Sequence, residues 1–401
     1  MIYLDNNATT CVDPDVLAAA LPFFETEFYN PSSMYDAASV PKRAIESART
    51  SLAHHLGAAS PTEIVFTSCA TESINAAVFG AIRANPNRKH IITTKVEHSA
   101  TIEVCREAER QGLEVTWLDV DRNGNINLPQ FVQALRPDET LLIAVIHANN
   151  ETGVIFPIER LARITKETDP AILFFTDATQ SMTKLPMSMT GGLKNIDFKN
   201  VDMLAFSGHK FHAPKGVGAL YLRRGTRCRT FMLGGHQESG RRCGTENVPY
   251  IVAMAKAVEL AAVTHDEDVK RITYLRDKLQ RGIQERISHI EINGLGAERI
   301  PNTLNVAAHY IEGESILYQL SAEGILASSG SACTSGTLEP SHVLTAMGVP
   351  FTAKHGSVRF SLSRYTTESE IDRVLEVFPQ IVARLRKASP YWDQEKDCPR
   401  V

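Results

Sequence analysis

The chain has 401 residues, of which 43% are hydrophobic and 22% charged, and its formal net charge at pH 7 is −4. A chain of this length predicts more than one domain, and this composition is typical of a globular protein whose core needs no disulfide or metal cross-links. The small negative charge argues against a protein that binds nucleic acid or docks on acidic membranes through a basic surface.

The N-terminus lacks the basic and apolar regions of a signal peptide, and no apolar run has the length that predicts a transmembrane helix. The seven cysteines are scattered, and no CxxC pair predicts a zinc or redox site. An odd, dispersed set of cysteines is typical of a reducing compartment. We therefore expect a cytoplasmic protein with no metal site.

Predicted helices and strands alternate over the first 222 residues. Helices are predicted at 14–28, at 41–56 and at 158–168; a further helix begins at about 73, and another ends at 110. Strands are predicted at 64–67, 91–94, 113–118, 141–146, 173–177, 201–206 and 219–222. Such alternation predicts an α/β fold with a mostly parallel sheet covered by helices on both faces. Ligands of such sheets bind outside the carboxyl ends of the strands.

Chemically capable side chains stand at or just after several predicted strand ends, namely Thr71, His98, Asn150, Asp177, Gln180 and Lys210. Lys210 lies in a glycine-rich turn, where a lysine is either solvated or held for chemistry. A desolvated amine can lose its proton and form a Schiff base with an aldehyde. An acid such as Asp177 can keep a pyridine nitrogen protonated, so the pair predicts a pyridoxal phosphate (PLP) site.

The segment Cys69-Ala70-Thr71 stands between a predicted strand and a predicted helix. Unpaired amides and the helix dipole favour a phosphate at such a place, although an ordinary helix cap has the same pattern. His209 and His212 lack a third metal ligand at a convincing spacing, and the glycine-rich turn suits phosphate better. The stretch 119–127 begins like a calcium loop, but Gln130 stands where a bidentate Glu is needed, which favours a surface turn.

The second half of the chain predicts a different pattern. A loop rich in glycine and arginine covers 231–247, and two helices follow, separated by an interruption at 266–268. Beyond residue 290, short strands and helices predict a smaller α+β domain. We place a large α/β domain at 13–260 and the small domain at 1–12 and 261–401. In the small domain Cys333 stands among small residues, as expected for a mobile nucleophile, and Arg359 could pair with a carboxylate.

Taken in order, these segments resemble cysteine desulfurases of the NifS/IscS type. The matching motifs are Leu4–Thr10, Cys69–Ser73, Glu97-His98, Asn149–Gly153, Asp177–Gln180, Ser207–Lys210, Arg242–Asn247 and Ser328–Cys333. The resemblance spans residues 3 to about 387 and implies the class V aminotransferase family and PLP fold type I. That fold has a mostly parallel seven-stranded sheet flanked by helices, a smaller α+β domain, and a homodimer with a shared active site.

The resemblance implies that the enzyme uses PLP to remove sulfur from L-cysteine and releases L-alanine. Lys210 would hold PLP and move the Cα proton, while His98 would stack on the ring and assist. Asp177 would pair with the ring nitrogen and Gln180 with the ring hydroxyl. Cys333, as a thiolate, would attack the substrate sulfur and keep it as a persulfide.

The remaining implied contacts concern the phosphate and the carboxylate. The phosphate would be held by Ala70, Thr71, Ser207, His209 and Thr245 of the partner subunit. The substrate carboxylate would be held by Arg359 and by Asn150, which also adjoins the cofactor. Relative to the family, 189–195 resembles an insertion that lengthens a surface loop.

The sulfur would pass to an iron–sulfur scaffold or another sulfur-acceptor protein. The run Gly235–Glu238 resembles the nitrogenase-associated NifS branch more than the housekeeping IscS branch. A selenocysteine lyase or another class V aminotransferase is an alternative, but an aminotransferase has no need of the Cys333 thiol. A second alternative is a sulfur carrier without PLP chemistry, against which Lys210, Asp177 and His98 argue.

Overall fold

A computed structural model describes residues 1–191, 196–329, 340–393, 396 and 398–400. The strands are Ile2–Tyr3 (β1), Ile64–Thr67 (β2), His90–Thr94 (β3), Glu114–Leu118 (β4), Thr140–Ile146 (β5), Leu173–Asp177 (β6), Met187–Ser188 (β7), Ile196–Asp197 (β8), Met203–Ser207 (β9), Gly218–Leu222 (β10), Ile290–Ile292 (β11), Thr303–Ala308 (β12), Ile325–Leu326 (β13), Ser357–Ser361 (β14), Trp392–Asp393 (β15) and Cys398–Pro399 (β16).

The α-helices are Pro14–Ala20 (α1), Pro22–Glu25 (α2), Ser39–His55 (α3), Ala70–Ala84 (α4), Ser99–Arg110 (α5), Leu128–Ala134 (α6), Ile158–Thr168 (α7), Val248–Arg286 (α8), Gly313–Ala322 (α9), His342–Ala346 (α10), Phe351–Lys354 (α11) and Glu368–Ala388 (α12). Short 3₁₀ helices span Asp36–Ala38, Pro61–Glu63, Gly208–Lys210 and Gln237–Gly240. The helix predicted at 14–28 is divided into α1 and α2, because Pro22 has no N–H to continue the first helix.

Within the described residues, seven strands form one mixed sheet in the order β2-β10-β9-β6-β5-β3-β4. Strand β10 is antiparallel to both neighbours, and the other neighbouring strands are parallel. Every residue of β5 and β6 is buried, as expected for central parallel strands with helices on both faces. The predicted mostly parallel, seven-stranded sheet is therefore confirmed.

Alternate residues of the central strands enter two hydrophobic cores. Ile143 and Phe174 belong to the core that includes α3, α7 and the start of α8. Leu142 and Phe175 belong to the core that includes α4 and α5. This alternation follows from the twofold side-chain period of a strand and sandwiches the sheet between helices.

A separate hydrophobic core surrounds the antiparallel sheet β11-β12-β14, with the second half of α8, α9 and α12. The N-terminal residue Leu4 belongs to this core, and β1 pairs in parallel with β13. The first residues of the chain thus lie beside the C-terminal part. The domain limits at 1–12, 13–260 and 261–401 stay a prediction.

Helix α8 corrects the interruption predicted at 266–268, since it is continuous over 39 residues. No Gly or Pro occurs in that short acidic segment, so nothing there breaks a helix. Its acids are solvated or paired: Asp268 lies 3.6 Å from Arg364 and 3.8 Å from Arg271. The predicted domain boundary at 260 therefore falls inside one helix.

The same helix is long and apolar enough, by length and composition, to cross a membrane, contrary to the expectation from the sequence. Its most apolar 18-residue window has a mean hydropathy of 1.2, and 44% of that window is buried. Ile251, Met254 and Val258 pack into the core beside the large sheet. Packing in the protein therefore accounts for its apolar face.

The segment 189–195 was expected to form a surface loop, and its first residue departs from that expectation. Met189 is fully buried in the large core, and its N–H donates to the carbonyl of Leu56 at 2.9 Å. Residues 192–195 lie outside the described residues. The beginning of this segment is therefore part of the packed core.

Candidate active site

A cavity of about 320 Å³ lies at the carboxyl ends of the parallel strands. It is lined by the predicted residues Ala70, Thr71, His98, Asn150, Asp177, Gln180, Ser207, His209, Lys210 and Arg359. Asp177 ends β6 and Ser207 ends β9, which are neighbours in the sheet. The topology thus brings together side chains that are far apart in the sequence.

Lys210 ends the 3₁₀ turn that directly follows β9. A Cβ atom on Gly208 would lie 3.0 Å from Ala213, so the turn fits closely only with glycine at that position. The Nζ of Lys210 donates to the carbonyls of Asn7 at 2.7 Å and Ala8 at 2.9 Å. The N-terminal segment therefore helps to hold the amine at the cavity.

His98 caps the N-terminus of α5. Its Nδ1 accepts a hydrogen bond from the N–H of Ala100 at 3.1 Å, so in this arrangement the ring proton is on Nε2. Burial lowers the pKa of His98; the carboxylate of Asp177 opposes this effect and Lys210 adds to it. A neutral imidazole at this place suits both ring stacking and proton transfer.

Asp177 is buried at the end of β6, and its Oδ1 accepts from the N–H of Thr179 at 2.9 Å. A buried carboxylate needs a cation or donors to offset its desolvation. A protonated pyridine nitrogen would satisfy this requirement. The placement of Asp177 therefore fits its predicted partner.

The predicted phosphate pocket combines the start of α4 with the turn after β9. The N-cap residue Cys69 makes no side-chain cap hydrogen bond, which leaves the first amides of α4 available to an anion. The Nδ1 atom of His209 and the Oγ1 atom of Thr9 form a hydrogen bond of 3.1 Å. Burial, followed by the charge of Lys210, lowers the pKa of His209 to about 4, so the ring is neutral at pH 7.

Among the described residues, five cavity-lining side chains have a buried polar atom without a hydrogen-bond partner. They are Asn150 Oδ1, Thr179 Oγ1, Gln180 Oε1, Ser207 Oγ and Arg359 Nε. Leaving such an atom unpaired costs about 1–3 kcal/mol, and folded proteins pair the great majority of buried polar groups. The cavity is therefore built for a polar ligand, and its donors and acceptors fit PLP with an amino acid carboxylate.

Arg359 is fixed on β14 by contacts to other segments. Its Nη2 lies 2.7 Å from Asp5 Oδ1, and its Nη1 donates to the carbonyl of Asn150 at 3.0 Å. The backbone of Arg359 also pairs with Ser328, which precedes the segment that contains Cys333. Cys333 itself lies outside the described residues. The guanidinium is thus held rigidly with Nε unpaired for a carboxylate.

Thr245 is a predicted site residue in the described part of the chain, but it does not line the cavity. It is exposed in the loop that precedes α8. Its exposure is compatible with a role at the partner subunit's site, which stays a prediction. The roles assigned to the cavity residues also stay predictions, although their placement agrees with those roles.

Asn7 is a cavity residue that the sequence did not single out, although it lies in the motif Leu4–Thr10. Its carbonyl accepts hydrogen bonds from both Lys210 Nζ, at 2.7 Å, and Gln180 Nε2, at 3.0 Å. Its side chain donates to Thr303 Oγ1 at 2.8 Å. Asn7 therefore connects the cavity to the antiparallel sheet.

Glu97 is a second overlooked residue, next to His98. It is fully buried; its Oε1 accepts from Thr94 Oγ1 at 2.7 Å and from the N–H of Ile146 at 3.0 Å, while Oε2 has no partner. Burial raises the pKa of Glu97 to about 8, and the nearby charge of Asp177 contributes in the same direction. The carboxyl group is therefore protonated at neutral pH.

We expect Glu97→Gln to remove a pH dependence of stability. The folded pKa of about 8 exceeds the ordinary value of 4.5, so the folded state binds the extra proton. The stabilisation of the folded state by this bound proton is complete below about pH 4.5 and is lost as pH rises through 8. Glutamine has nearly the shape of the protonated carboxyl group and carries no charge at any pH. The variant should match the wild type near pH 5 and exceed its free energy of unfolding by about 3 kcal/mol at pH 8.

Urea unfolding of both proteins at pH 5 and pH 8 measures this difference. Glu103→Gln, at an exposed position of α5, is the matched control and should show no such growth with pH. A Glu97→Gln protein with the same pH slope as the wild type would show that Glu97 is ionised in the folded state.

The family model described as Aminotransferase class-V matches residues 2–374. The chain is 53% identical over 398 residues to "Cysteine desulfurase 2" of Trichormus variabilis, covering 99% of this chain and 97% of that protein. It is 50% identical over 393 residues to "Cysteine desulfurase NifS" of Azotobacter vinelandii, covering 98% of this chain and 95% of that protein.

A solved structure named "NIFS-LIKE PROTEIN" matches with a TM-score of 0.88 and 37% identity, covering 96% of this chain and all of that one (100%). This likeness confirms the predicted PLP fold type I, and the extent of the sequence matches confirms the predicted resemblance. The chain therefore belongs to the class V aminotransferase family, whose members depend on PLP.

Proposed function

We propose that this chain is a cysteine desulfurase, which uses PLP to remove the sulfur of L-cysteine and releases L-alanine. The observation that carries the proposal is the single cavity where Lys210, Asp177, His98 and Arg359 meet. The 53% identity to a protein named cysteine desulfurase, over nearly the whole chain, supports the same reaction.

The cavity residues have distinct tasks toward the cofactor. The Lys210 amine would hold the aldehyde carbon, Asp177 would pair with the ring nitrogen, and Gln180 would contact the ring hydroxyl. The phosphate would be held by the amides of Ala70 and Thr71 together with Ser207 and His209. When bound, PLP supplies an electron sink for the carbon skeleton of the substrate.

The substrate is oriented through its carboxylate. Arg359, fixed by Asp5 and the Asn150 carbonyl, presents its guanidinium to that group, and Asn150 adjoins it. Lys210 and His98 line the same cavity as Arg359, so both would face a cysteine that is held there by its carboxylate. The Lys210 amine accepts that proton and later returns a proton to the carbon skeleton, and the neutral His98 ring assists.

Sulfur transfer requires a nucleophile, which we assign to Cys333. Its thiolate attacks the substrate sulfur, so that an S–S bond forms while the C–S bond breaks. The electron pair of the C–S bond stays with the three-carbon skeleton, which takes up a proton and leaves as alanine. The transferred sulfur remains on Cys333 as a persulfide.

The direct test is to incubate the purified protein with L-cysteine and dithiothreitol and to measure alanine and sulfide together. The dithiol reduces the persulfide sulfur to sulfide and is itself oxidised to a disulfide, so equal amounts of both products are expected. A keto acid without sulfide would instead show transamination. Turnover of selenocysteine alone would favour a selenocysteine lyase.

We also infer a homodimer, because apolar side chains are exposed both in the loop that contains Thr245 and in the segment 24–34. Phe24, Phe28, Met34 and Leu233 are each more than half exposed, and Phe24 packs edge-on against Tyr250 at 5.9 Å. Burying such side chains against a second copy would remove them from water.

Sedimentation equilibrium should give twice the mass of one chain. Phe28→Glu combined with Leu233→Glu should shift the protein toward the monomer and lower its activity. Tyr318→Glu, at an exposed aromatic position on α9, is the control and should leave the mass unchanged. A wild-type protein that sediments as a monomer would contradict the shared active site.

The persulfide sulfur passes, in this proposal, to an iron–sulfur scaffold or another acceptor protein in the cytoplasm. The identity of 50% to a protein named NifS supports the NifS branch and hence a nitrogenase-associated role. The described cysteines are all free thiols, which fits a reducing compartment. Transfer of labelled persulfide sulfur to a purified scaffold, and cell fractionation, test these assignments; no transfer, or recovery outside the cytoplasm, would contradict them.

A further inference from the structure

The loop that precedes α8 contains a strained turn. Glu238 has φ of 49° and Ser239 has φ of 58°, so two consecutive residues other than glycine lie in the left-handed region. Residues with a Cβ atom rarely adopt this conformation, and it persists only where the surrounding contacts enforce it. The backbone of this loop is therefore held in a defined shape by its contacts.

A buried ion pair attaches the turn to α3 and β2. The carboxylate of Glu238 accepts two hydrogen bonds from the guanidinium of Arg49 on α3, each of 2.7 Å, and a third from the N–H of Phe66 on β2 at 3.0 Å. All three residues are buried, and a bidentate arginine–carboxylate pair fixes the orientation of both side chains. The pair therefore determines the direction in which the loop continues after Glu238.

A second ion pair attaches the loop to the start of α4. Arg242 Nε donates to Glu72 Oε1 at 2.8 Å, and its Nη2 donates to Oε2 at 3.3 Å. Glu72 directly follows Thr71, which is predicted to hold the phosphate, and its Oε2 also accepts from the N–H of Ser68 at 2.8 Å. Arg242 thus connects the loop to the predicted phosphate pocket of its own chain, although it does not line the cavity itself.

Thr245 lies on a short stretch between two fixed points of this loop. On one side, Cys243 is buried and its thiol donates to the carbonyl of Gly235 at 2.8 Å. On the other side, Asn247 caps α8 with its side chain. Between them Thr245 is exposed, and Glu246 Oε2 is buried without a hydrogen-bond partner among the described residues, as expected where another chain completes a surface. The loop therefore presents Thr245 outward from a fixed base.

We propose that Arg242 is a positioning residue for the phosphate site of the partner subunit: its pair with Glu72 holds the loop so that Thr245 reaches the cofactor phosphate there. The inference rests on the proposed homodimer with a shared active site, and it names the contact that prepares the loop for that role. Because Glu72 lies beside Thr71, the same pair links the two phosphate sites of the dimer.

The first test measures cofactor binding by the full-length chain after PLP removal. Arg242→Gln and the wild type are titrated with PLP and with pyridoxal, which lacks the phosphate. The variant should bind PLP about 10–100-fold more weakly, as for the loss of one hydrogen bond to a charged group, and should bind pyridoxal like the wild type. Arg242→Lys keeps the charge without the bidentate geometry and should give a smaller loss of PLP affinity.

The matched control is Arg106→Gln, which removes an exposed arginine–glutamate pair on α5 and should leave the affinities for both compounds unchanged. If Arg242→Gln does not fold, Glu72→Gln breaks the same pair from the other side and replaces it. An equal loss of PLP and pyridoxal affinity would show a general structural defect and would overturn the inference.

The second test assigns the defect to a subunit. Two differently tagged chains are co-expressed, and heterodimers are purified through both tags. With Lys210→Ala in one chain and Arg242→Gln in the other, the remaining Lys210 site receives an unaltered loop and should bind PLP like a wild-type site. With both substitutions in the same chain, the remaining Lys210 site receives the altered loop and should bind PLP as weakly as the Arg242→Gln homodimer. The reverse pattern would show that Arg242 acts only on the phosphate pocket of its own chain and would overturn the inference.

Thr245→Ala separates this inference from the proposed function on which it rests. In the same heterodimers it should weaken PLP binding in the partner's site. If Thr245→Ala binds PLP like the wild type, the predicted role of Thr245 is wrong and the inference falls with it. If Thr245→Ala weakens PLP binding while Arg242→Gln does not, the shared active site stands and the inference about Arg242 is wrong.

Discussion

Replacing Lys210 by alanine is expected to abolish cysteine turnover and to remove the yellow colour of covalently bound PLP. Lys210 Nζ is positioned at the cavity by the carbonyls of Asn7 and Ala8, so its loss leaves no lysine amine among the described residues that line the cavity. It also removes the group that moves the Cα proton, and a positioned acid or base contributes about 10²–10⁴ in rate. We expect activity to fall at least about 10³-fold.

The measurement combines the visible spectrum of the purified variant with its rate of alanine formation. Lys215→Ala is the matched control, because Lys215 is exposed in the same turn and is not among the residues that line the cavity. Added methylamine should restore part of the rate in the alanine variant by replacing the missing base. A Lys210→Ala protein with the wild-type absorption band and rate would disprove the assignment.

Replacing Cys333 by alanine is expected to separate cofactor binding from sulfur transfer. The described residues of the cavity already supply groups that fit PLP, so the variant should keep its absorption spectrum. Without a thiolate to attack the substrate sulfur, sulfide and alanine should fall below about 1% of the wild-type rate, a loss comparable to removal of other catalytic nucleophiles. Cys333→Ser should behave in the same way, because a hydroxyl forms no persulfide.

Cys398→Ala is the control, since this partly buried thiol does not line the cavity. Mass spectrometry after a single turnover with L-cysteine should find the additional sulfur on Cys333 in the wild type and on no cysteine in Cys333→Ala. Undiminished sulfide release by Cys333→Ala would transfer the role of nucleophile to another thiol, with Cys69 on the cavity wall as the first to examine.

Groups with displaced pKa values surround the proposed active site. Burial raises the pKa of Glu97 to about 8 and lowers that of Lys184 to about 7, that of His209 to about 4 and that of His147 to about 3. Such clustering is typical of functional sites, where buried ionisable groups are kept at a cost in stability. Thr183, in the turn that follows β6, has φ of 64°. Such backbone strain is also typical of functional sites, because it persists only where the surrounding fold maintains it.

The amino-acid sequence determined the central sheet and most of the cavity. Strands such as β5 and β6 are unbroken apolar runs, and helix α7 was predicted within its observed limits, Ile158–Thr168, because their hydrophobic patterns are local. Asp177 and Lys210 could be assigned to one edge of the sheet because ligands of parallel sheets lie at the carboxyl ends. Arg359 lies outside the large sheet on β14; a strand was predicted there, and the family resemblance supplied its carboxylate-binding role.

Only the tertiary structure decided which groups meet across long separations. The interruption predicted in α8 rested on three adjacent acidic residues, but packing on two cores and the pairing of Asp268 keep the helix continuous. The neutral carboxyl of Glu97, the support of Asn7 and the pairing of Arg242 with Glu72 have no local pattern. Each depends on burial and on the distance between charges from separate segments, and both are set by how the segments pack.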